Sequence, residues 1–260
     1  MTRRWIDRPA PSLGITDATI AVLPTAAVEQ HGPHLPVGVD THINEGLCDL
    51  LEARCPDSLD IRILPMMAVG KSNEHVWAPG TLTLTAETAM KAWTEIGLSV
   101  ARAGVRRMLI VNSHGGNTDL ISIVARELRV RTGMFCVRMG WGAGLPPLDV
   151  YSEQERAQGI HGGDVETSLM LHLRPDTVDM TKAGDFRWTH GQGDIPPVGP
   201  VAHGWIASDV HPAGVAGEAH LATAEKGRWT AEHYVAGAID VLHRIAAQDL
   251  ARFVPVETHF

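Results

Sequence analysis

The sequence predicts an α/β protein, a parallel β-sheet covered on both faces by helices. Three observations point there. Short apolar runs recur along the chain, each is followed by a polar, glycine-bearing turn, and each turn leads into a segment with apolar residues at helical spacing. Strands alternating with helices of this length imply a parallel sheet.

Ile20–Leu23 reads as a buried central strand, and residues 42–54 as the helix after it. Ile61–Met67 is the second strand, with Thr85–Ala103 as its helix; Met108–Val111 and Asn117–Arg131 repeat the unit. A fourth strand is expected at Met134–Met139. Asp164 opens a helix that turns Leu169, Met170 and Leu173 to the core, and a last helical stretch covers about Ala219–Asp249. From Ala143 to Gly159 and from Thr181 to Gly214, Gly and Pro are frequent and periodicity is weak, so both stretches are expected as loops or flaps. No repeat or linker interrupts the pattern, and residues 1–260 are expected to form one domain.

Hydrophobic residues make up 44% of the 260 residues and charged ones 20%, which is ordinary globular usage. A net charge of −8 argues against nucleic acid as a partner. The three cysteines, Cys48, Cys55 and Cys136, form no paired motif and fit a reducing compartment. The N-terminus lacks a leader's apolar core, and no stretch approaches the roughly 20 apolar residues of a membrane helix. A cytoplasmic protein with no membrane partner is the expectation.

In parallel sheets, ligands gather outside the carboxyl ends of the strands, and the polar motifs lie there. Glu29-Gln-His31-Gly-Pro-His34-Leu-Pro-Val-Gly-Val-Asp40 crowds carboxylates and imidazoles between glycines and prolines, donors that suit a divalent metal. Residues two apart on an extended segment point to opposite sides. Glu29 and His31 could each face a different ion, and Asp40 could fold back to bridge both. His34 is a ligand or a group supporting one.

Asn112-Ser-His114-Gly115-Gly116-Asn117 joins a strand to a helix, and its glycines expose amides to an anion or oxyanion. His161-Gly-Gly-Asp164-Val-Glu166 opens another helix; its acids suit either a site or the helix N-terminus itself. Ser72 and His75, on a loop with Trp77, suit a substrate wall. Trp141, Trp188 and Trp205 either line a pocket or pack in the core. His42, His172, His190, His203, His211, His220, His233, His243 and His259 receive no role.

Pro24-Thr-Ala-Ala-Val-Glu29-Gln-His31-Gly-Pro-His34-Leu-Pro with Asp40, then Asn112-Ser-His114-Gly-Gly-Asn117, then His161-Gly-Gly-Asp-Val-Glu166-Thr-Ser resemble, in order, the three signatures of the creatininase (creatinine amidohydrolase) family. Ala78-Pro-Gly80-Thr81-Leu and Gly214-Val-Ala-Gly217 match its pattern too, and the likeness runs from about residue 18 to 235. The resemblance implies a three-layer α/β/α sandwich with a mostly parallel central sheet and a centre of two divalent ions, Zn, Mn or Fe. It implies a homo-oligomer, often a hexamer, acting on a small molecule. By position, Glu29, His31, Asp40 and His114 would be ligands, with Asp40 bridging, and His161 the catalytic or substrate-contacting histidine. Creatinine-hydrolysing members carry Tyr and a ligand Glu where this chain has Gly115 and Gly116. They carry a Trp-Asp pair where it has Ala157 and Gln158. These differences point away from creatinine, and Glu166 becomes the candidate for the missing donor.

The expected reaction is hydrolysis of a C–N amide bond in a small cyclic amide or formamide by a water activated at two metals. The oxyanion would rest near the Gly115–Gly116 amides, and Glu166 or His161 would carry the proton. Alternatives are hydrolysis or isomerisation of a cyclic ketone or sugar, creatinine hydrolysis proper, or a non-catalytic binding protein.

Overall fold

The computed structural model describes residues 2–188 and 194–253; His190 and His259 fall outside them. Four parallel strands, β1 (Ile20–Thr25), β2 (Ile61–Ile63), β3 (Arg107–Asn112) and β4 (Phe135–Gly140), lie in the order β2-β1-β3-β4. Their two-residue period sorts the core. Ile20, Val22, Leu109 and Val111 face one side, while Ala21, Leu23, Met108 and Ile110 face the other.

On the first side pack α1 (Val39–Arg54), α5 (Asp164–Leu173) and α7 (Ala224–Ala246). On the second pack α2 (Ala86–Arg102) and α3 (Thr118–Thr132), around the buried Trp93. The result is the three-layer α/β/α sandwich. Two short helices, α4 (Glu153–Gln158) and α6 (Ala207–Val210), sit within the stretches expected as flaps. The helix ends follow local chemistry. The Thr85 and Thr223 hydroxyls accept the Thr88 and Lys226 amides at the starts of α2 and α7, and Gly133 at φ 72° closes α3.

Most element ends fall within two residues of the sequence expectation, the last helix ends at Ala246 rather than Asp249, and three further departures have a local cause. β2 stops at Ile63 and not Met67, because after the Leu64 amide reaches the Val22 carbonyl the next donor toward β2 would be residue 24 of β1, and Pro24 has no N–H; pairing resumes only where the Met67 amide reaches the Pro24 carbonyl. Helix α1 begins at Val39 and not residue 42, since Val39 is fully buried and anchors the first turn after Gly38. The last helix is not continuous from Ala219: extended backbone at Thr223 separates α7 from a single turn at Ala219–Leu221. Cys48, Cys55 and Cys136 are free thiols. No described helix is long and apolar enough to cross a membrane.

The chain leaves β1 toward β2 on one side, and leaves β3 toward β4 on the other. The crevice beyond the ends of β1 and β3 is thus the switch point of the sheet.

Candidate metal centre

The loop after β1 returns on itself because the Glu29 amide donates to the Val37 carbonyl at 2.8 Å. Gly32, at φ 77°, makes the turn; a Cβ there would lie 2.8 Å from Val215 Cγ1, so both backbone and space demand glycine. That fold-back sets Asp40 in the first turn of α1, facing the loop it came from. His114 follows β3 directly. Asn117, fully buried, ties the neighbouring loops: its amide donates to the Ala26 carbonyl and its oxygen accepts from the Lys71 amide.

Among the described residues, four overlapping donor sets meet at this point: two run through Glu29, one with His31 and His161 and one with Glu74 and His75, and two share Asp40. Of the pair sharing Asp40, Glu29, Asp40 and His114 form one, and His31, Asp40 and Glu166 the other, with all three donor atoms of each within 4.8 Å of one another. His114 Nδ1 lies 3.2 Å from Glu29 Oε1 and 3.3 Å from Asp40 Oδ2; His31 Nε2 lies 3.6 Å from Asp40 Oδ1 and 3.7 Å from Glu166 Oε2. Asp40 belongs to both sets. Glu29 Oε2, His31 Nε2 and Asp40 Oδ2 are buried without a hydrogen-bond partner. Such atoms are costly to desolvate, and a cation among them would satisfy all three. The donor set therefore fits divalent metal.

Each imidazole is oriented from behind, as metal-binding histidines are. His31 Nδ1–H donates to the Glu29 carbonyl at 3.0 Å, and His114 Nε2–H to the Lys71 carbonyl at 2.8 Å, so the other nitrogens are aimed at the carboxylates. His161 Nε2–H donates to the Gln30 carbonyl at 2.7 Å, leaving Nδ1 3.6 Å from Glu29 Oε1. His75 is turned the opposite way. The Gln30 amide donates to its Nδ1 and to the Gly214 carbonyl, so the proton sits on Nε2, 3.6 Å from Glu29. The His161 ring lies between those of His31 and His75, with centroids 4.1 and 4.3 Å away.

Charge follows from these neighbours. Burial opposes a charged His31, yet Asp40, Glu166 and Glu29 raise it to about 9. Burial is likewise outweighed at His114, which Glu29 and Asp40 push well above its usual value. Burial and then His31 push His161 well below, despite Glu29. Burial raises Glu166 to about 7, with Asp40 adding and His31 opposing. Burial is outweighed at Glu29 by His114 first, which holds its carboxyl well below the ordinary value.

The family profile described as "Creatininase: Creatinine amidohydrolase" matches residues 10–242. The chain belongs to the creatininase family.

Among curated relatives, the mycofactocin precursor peptide peptidase of Mycobacterium tuberculosis is 33% identical over 215 residues, covering 80% of this chain and 78% of its own. Creatinine amidohydrolase of Pseudomonas putida is 30% identical over 244 residues, covering 86% and 88%. A solved creatininase variant complexed with creatine superposes with a TM-score of 0.77 at 25% identity, covering 95% of this chain and all of its own. Membership places the chain among hydrolases.

Within this creatininase-family frame, the structure brings Glu29, His31, Asp40, His114, His161, His75 and Glu166 together. It sets other candidates elsewhere. Ser72, fully buried, faces His114 Nε2 at 3.3 Å from behind rather than walling the cavity. His34 lies under α5, with Nε2 3.0 Å from the Thr167 hydroxyl. Gly115 and Trp141 line the adjoining cavity. Trp188 instead donates to the Gln158 carbonyl, and Trp205 meets His75 edge-on at 6.5 Å. At Gly116 a Cβ would lie 2.4 Å from Glu74 Oε1 and 2.6 Å from the Lys71 carbonyl, so the space that creatinine-hydrolysing members give to a side chain is taken by Glu74. Glu74, Gln30 and Asn117 were not legible as site residues. Gln30 stood inside the first motif, and its position between Glu29 and His31 was the available signal.

Proposed function

We propose that this chain hydrolyses a C–N amide bond at two divalent ions, Zn, Mn or Fe, with Glu29, Asp40 and His114 holding one and His31, Asp40 and Glu166 the other. The observation that carries this reading is the pair of donor sets sharing Asp40, with unpartnered buried donor atoms in each. Solved relatives include creatininases described with Mn and as a Zn-Zn type. Such a pair, when bound, lowers the pKa of water to about 7 and polarises a carbonyl.

The chain's own residues supply the rest. Asp40 and Glu29 neutralise cationic charge in the buried crevice. His161, uncharged and with its Nδ1 lone pair inward, takes a proton and returns it to the leaving nitrogen; with Glu166 committed as a donor, His161 is the better carrier. His75 presents its Nε2–H to an oxyanion, and Gly115 leaves the backbone amides open beside it.

The substrate we propose is a small cyclic amide or formamide. A peptide amide is the second reading, favoured by the mycobacterial peptide peptidases among the relatives. Purified protein should hold about two equivalents of metal, lose activity to chelators, and hydrolyse lactams, hydantoins, formamides or short peptides. Turnover of cyclic polyol ketones with none of these amides would overturn the bond assignment. His161→Ala should lower kcat about 10²–10⁴-fold with metal content unchanged. A variant at full rate would remove His161 from proton transfer.

Metal affinity should depend on pH. In the ion-free site His31, His114 and Glu166 all have raised pKa values, so each holds a proton that an incoming cation must displace. Affinity should therefore fall as pH drops below about 9, by up to about tenfold per pH unit for each proton released. A dissociation constant flat from pH 9 to 6 would contradict this.

A further inference from the structure

The cavity beside the donor cluster has two lobes. The inner one, about 240 Å³, is lined by Ile43, His114, Gly115, Trp141 and Leu169. The outer one, about 360 Å³, is walled by Leu145, Pro146, Leu148 and Tyr151 on one part and by Glu155, Arg156 and Thr230 on another. Both are bounded by Val165, Glu166 and Tyr234, so the outer lobe starts where the inner one reaches a candidate metal donor.

Tyr234 marks the joint. It projects from α7, and Gly142 at φ 81° lies against its ring: a Cβ there would come within 2.5 Å of Cε1 and 3.0 Å of the hydroxyl. The turn after β4 is thus shaped to leave room for this phenol. Among the described residues the Tyr234 hydroxyl makes no hydrogen bond, although it borders both lobes.

A compact ring amide filling the inner lobe would leave Leu145, Pro146 and Leu148 of the outer lobe against water. Clefts that bury a ligand on apolar walls, with a few polar groups to orient it, are the usual form of a specific site. The outer lobe combines apolar and polar walls in this way and shares Val165, Glu166 and Tyr234 with the inner one.

We propose that the two lobes form one substrate groove, that among the amides named above its occupant is an open-chain one, a formamide or peptide amide and not a ring, with an apolar group of several carbons beyond the scissile bond, and that the Tyr234 hydroxyl donates a hydrogen bond to that substrate at the joint. The identity of the bond rests on the amide reading above; the shape of the occupant rests on the groove alone.

The test uses the metal-loaded protein and linear amides R–CO–NH–R′ in which R and then R′ grows from methyl to hexyl. On one side kcat/KM should rise by roughly fourfold per methylene, the worth of a buried CH₂. Leu148→Asp should collapse the hexyl-to-methyl ratio. Tyr234→Phe should lower kcat/KM by roughly three- to tenfold, the value of one neutral hydrogen bond. Calorimetric titration of ketomethylene analogues, which cannot be hydrolysed, should give the same chain-length series in binding. If no amide turns over but the analogues keep that series and lose it in Leu148→Asp, the bond reading fails and the groove stands. Flat series on both sides in both measurements, or a chain-length effect that survives Leu148→Asp, would overturn the groove. A Tyr234→Phe variant at full kcat/KM would overturn the tyrosine's part.

Discussion

Asp40→Asn should reduce bound metal from about two equivalents to one or none and lower activity by at least about 10⁴-fold, the scale of losing a whole catalytic device. Asp40 belongs to both donor sets, and its Oδ2 is buried with no hydrogen-bond partner. Asparagine keeps the volume, so the core around α1 stays packed. It removes the charge and one acceptor, and a neutral amide cannot bridge two cations. His31→Ala should remove only the ion shared with Glu166, leaving about one equivalent. His220→Ala, an exposed position on the far turn, should retain both. Metal analysis of the three variants decides the matter. Two equivalents in Asp40→Asn would dismiss the shared-carboxylate arrangement.

Gly227→Ala should be the most destabilising glycine-to-alanine change among the described residues. A Cβ at this position in α7 would lie 1.9 Å from the Ser168 carbonyl oxygen and 2.4 Å from its carbon, so α5 and α7 touch backbone to backbone there. Backbone cannot rotate away as a side chain can. Moving the helices apart should cost about 3 kcal/mol, a loss of roughly 6–12 °C in Tm for a chain of this size. The effect should reach the site, because Ser168 stands two residues beyond Glu166 on α5. Gly227→Ala should therefore also weaken the ion on the His31 side, while the Glu29 side is held by other elements. Gly204→Ala, with nothing within 4 Å of its added methyl, should stay within about 0.5 kcal/mol. Equal Tm values for the two variants would show that the helix contact is looser than described.

The fold was legible wherever apolar period and turn chemistry agreed. β1 and β3 are continuous apolar runs, as strands buried on both faces must be, and the helices after them carry clean helical spacing. The errors lie where one residue overrides the pattern: Pro24 opposite an apolar run, Val39 ahead of the obvious periodicity, Thr223 inside a helical stretch. The candidate donors were legible because each signature keeps its chemistry within a few residues of a strand end or helix start. Glu74 and Tyr234 were not. Glu74 matters through Gly116, and Tyr234 through Gly142, and both pairings cross the chain between elements whose packing no local period records. Ser72 was read as a wall residue because it shares a polar loop with His75, yet its side chain is turned behind His114.

The order of the donors along the chain has a consequence for biosynthesis. The set of Glu29, Asp40 and His114 is complete once the ribosome has released β3, whereas the set with His31 and Glu166 waits for α5. An N-terminal segment that folds early, as domains do during translation, would offer one cation a finished seat with Asp40 committed to it. The other cation would then meet a carboxylate already in use. Metal choice in the cell could thus be decided twice, first by whatever ion is available to the nascent chain and later by what the finished protein encounters.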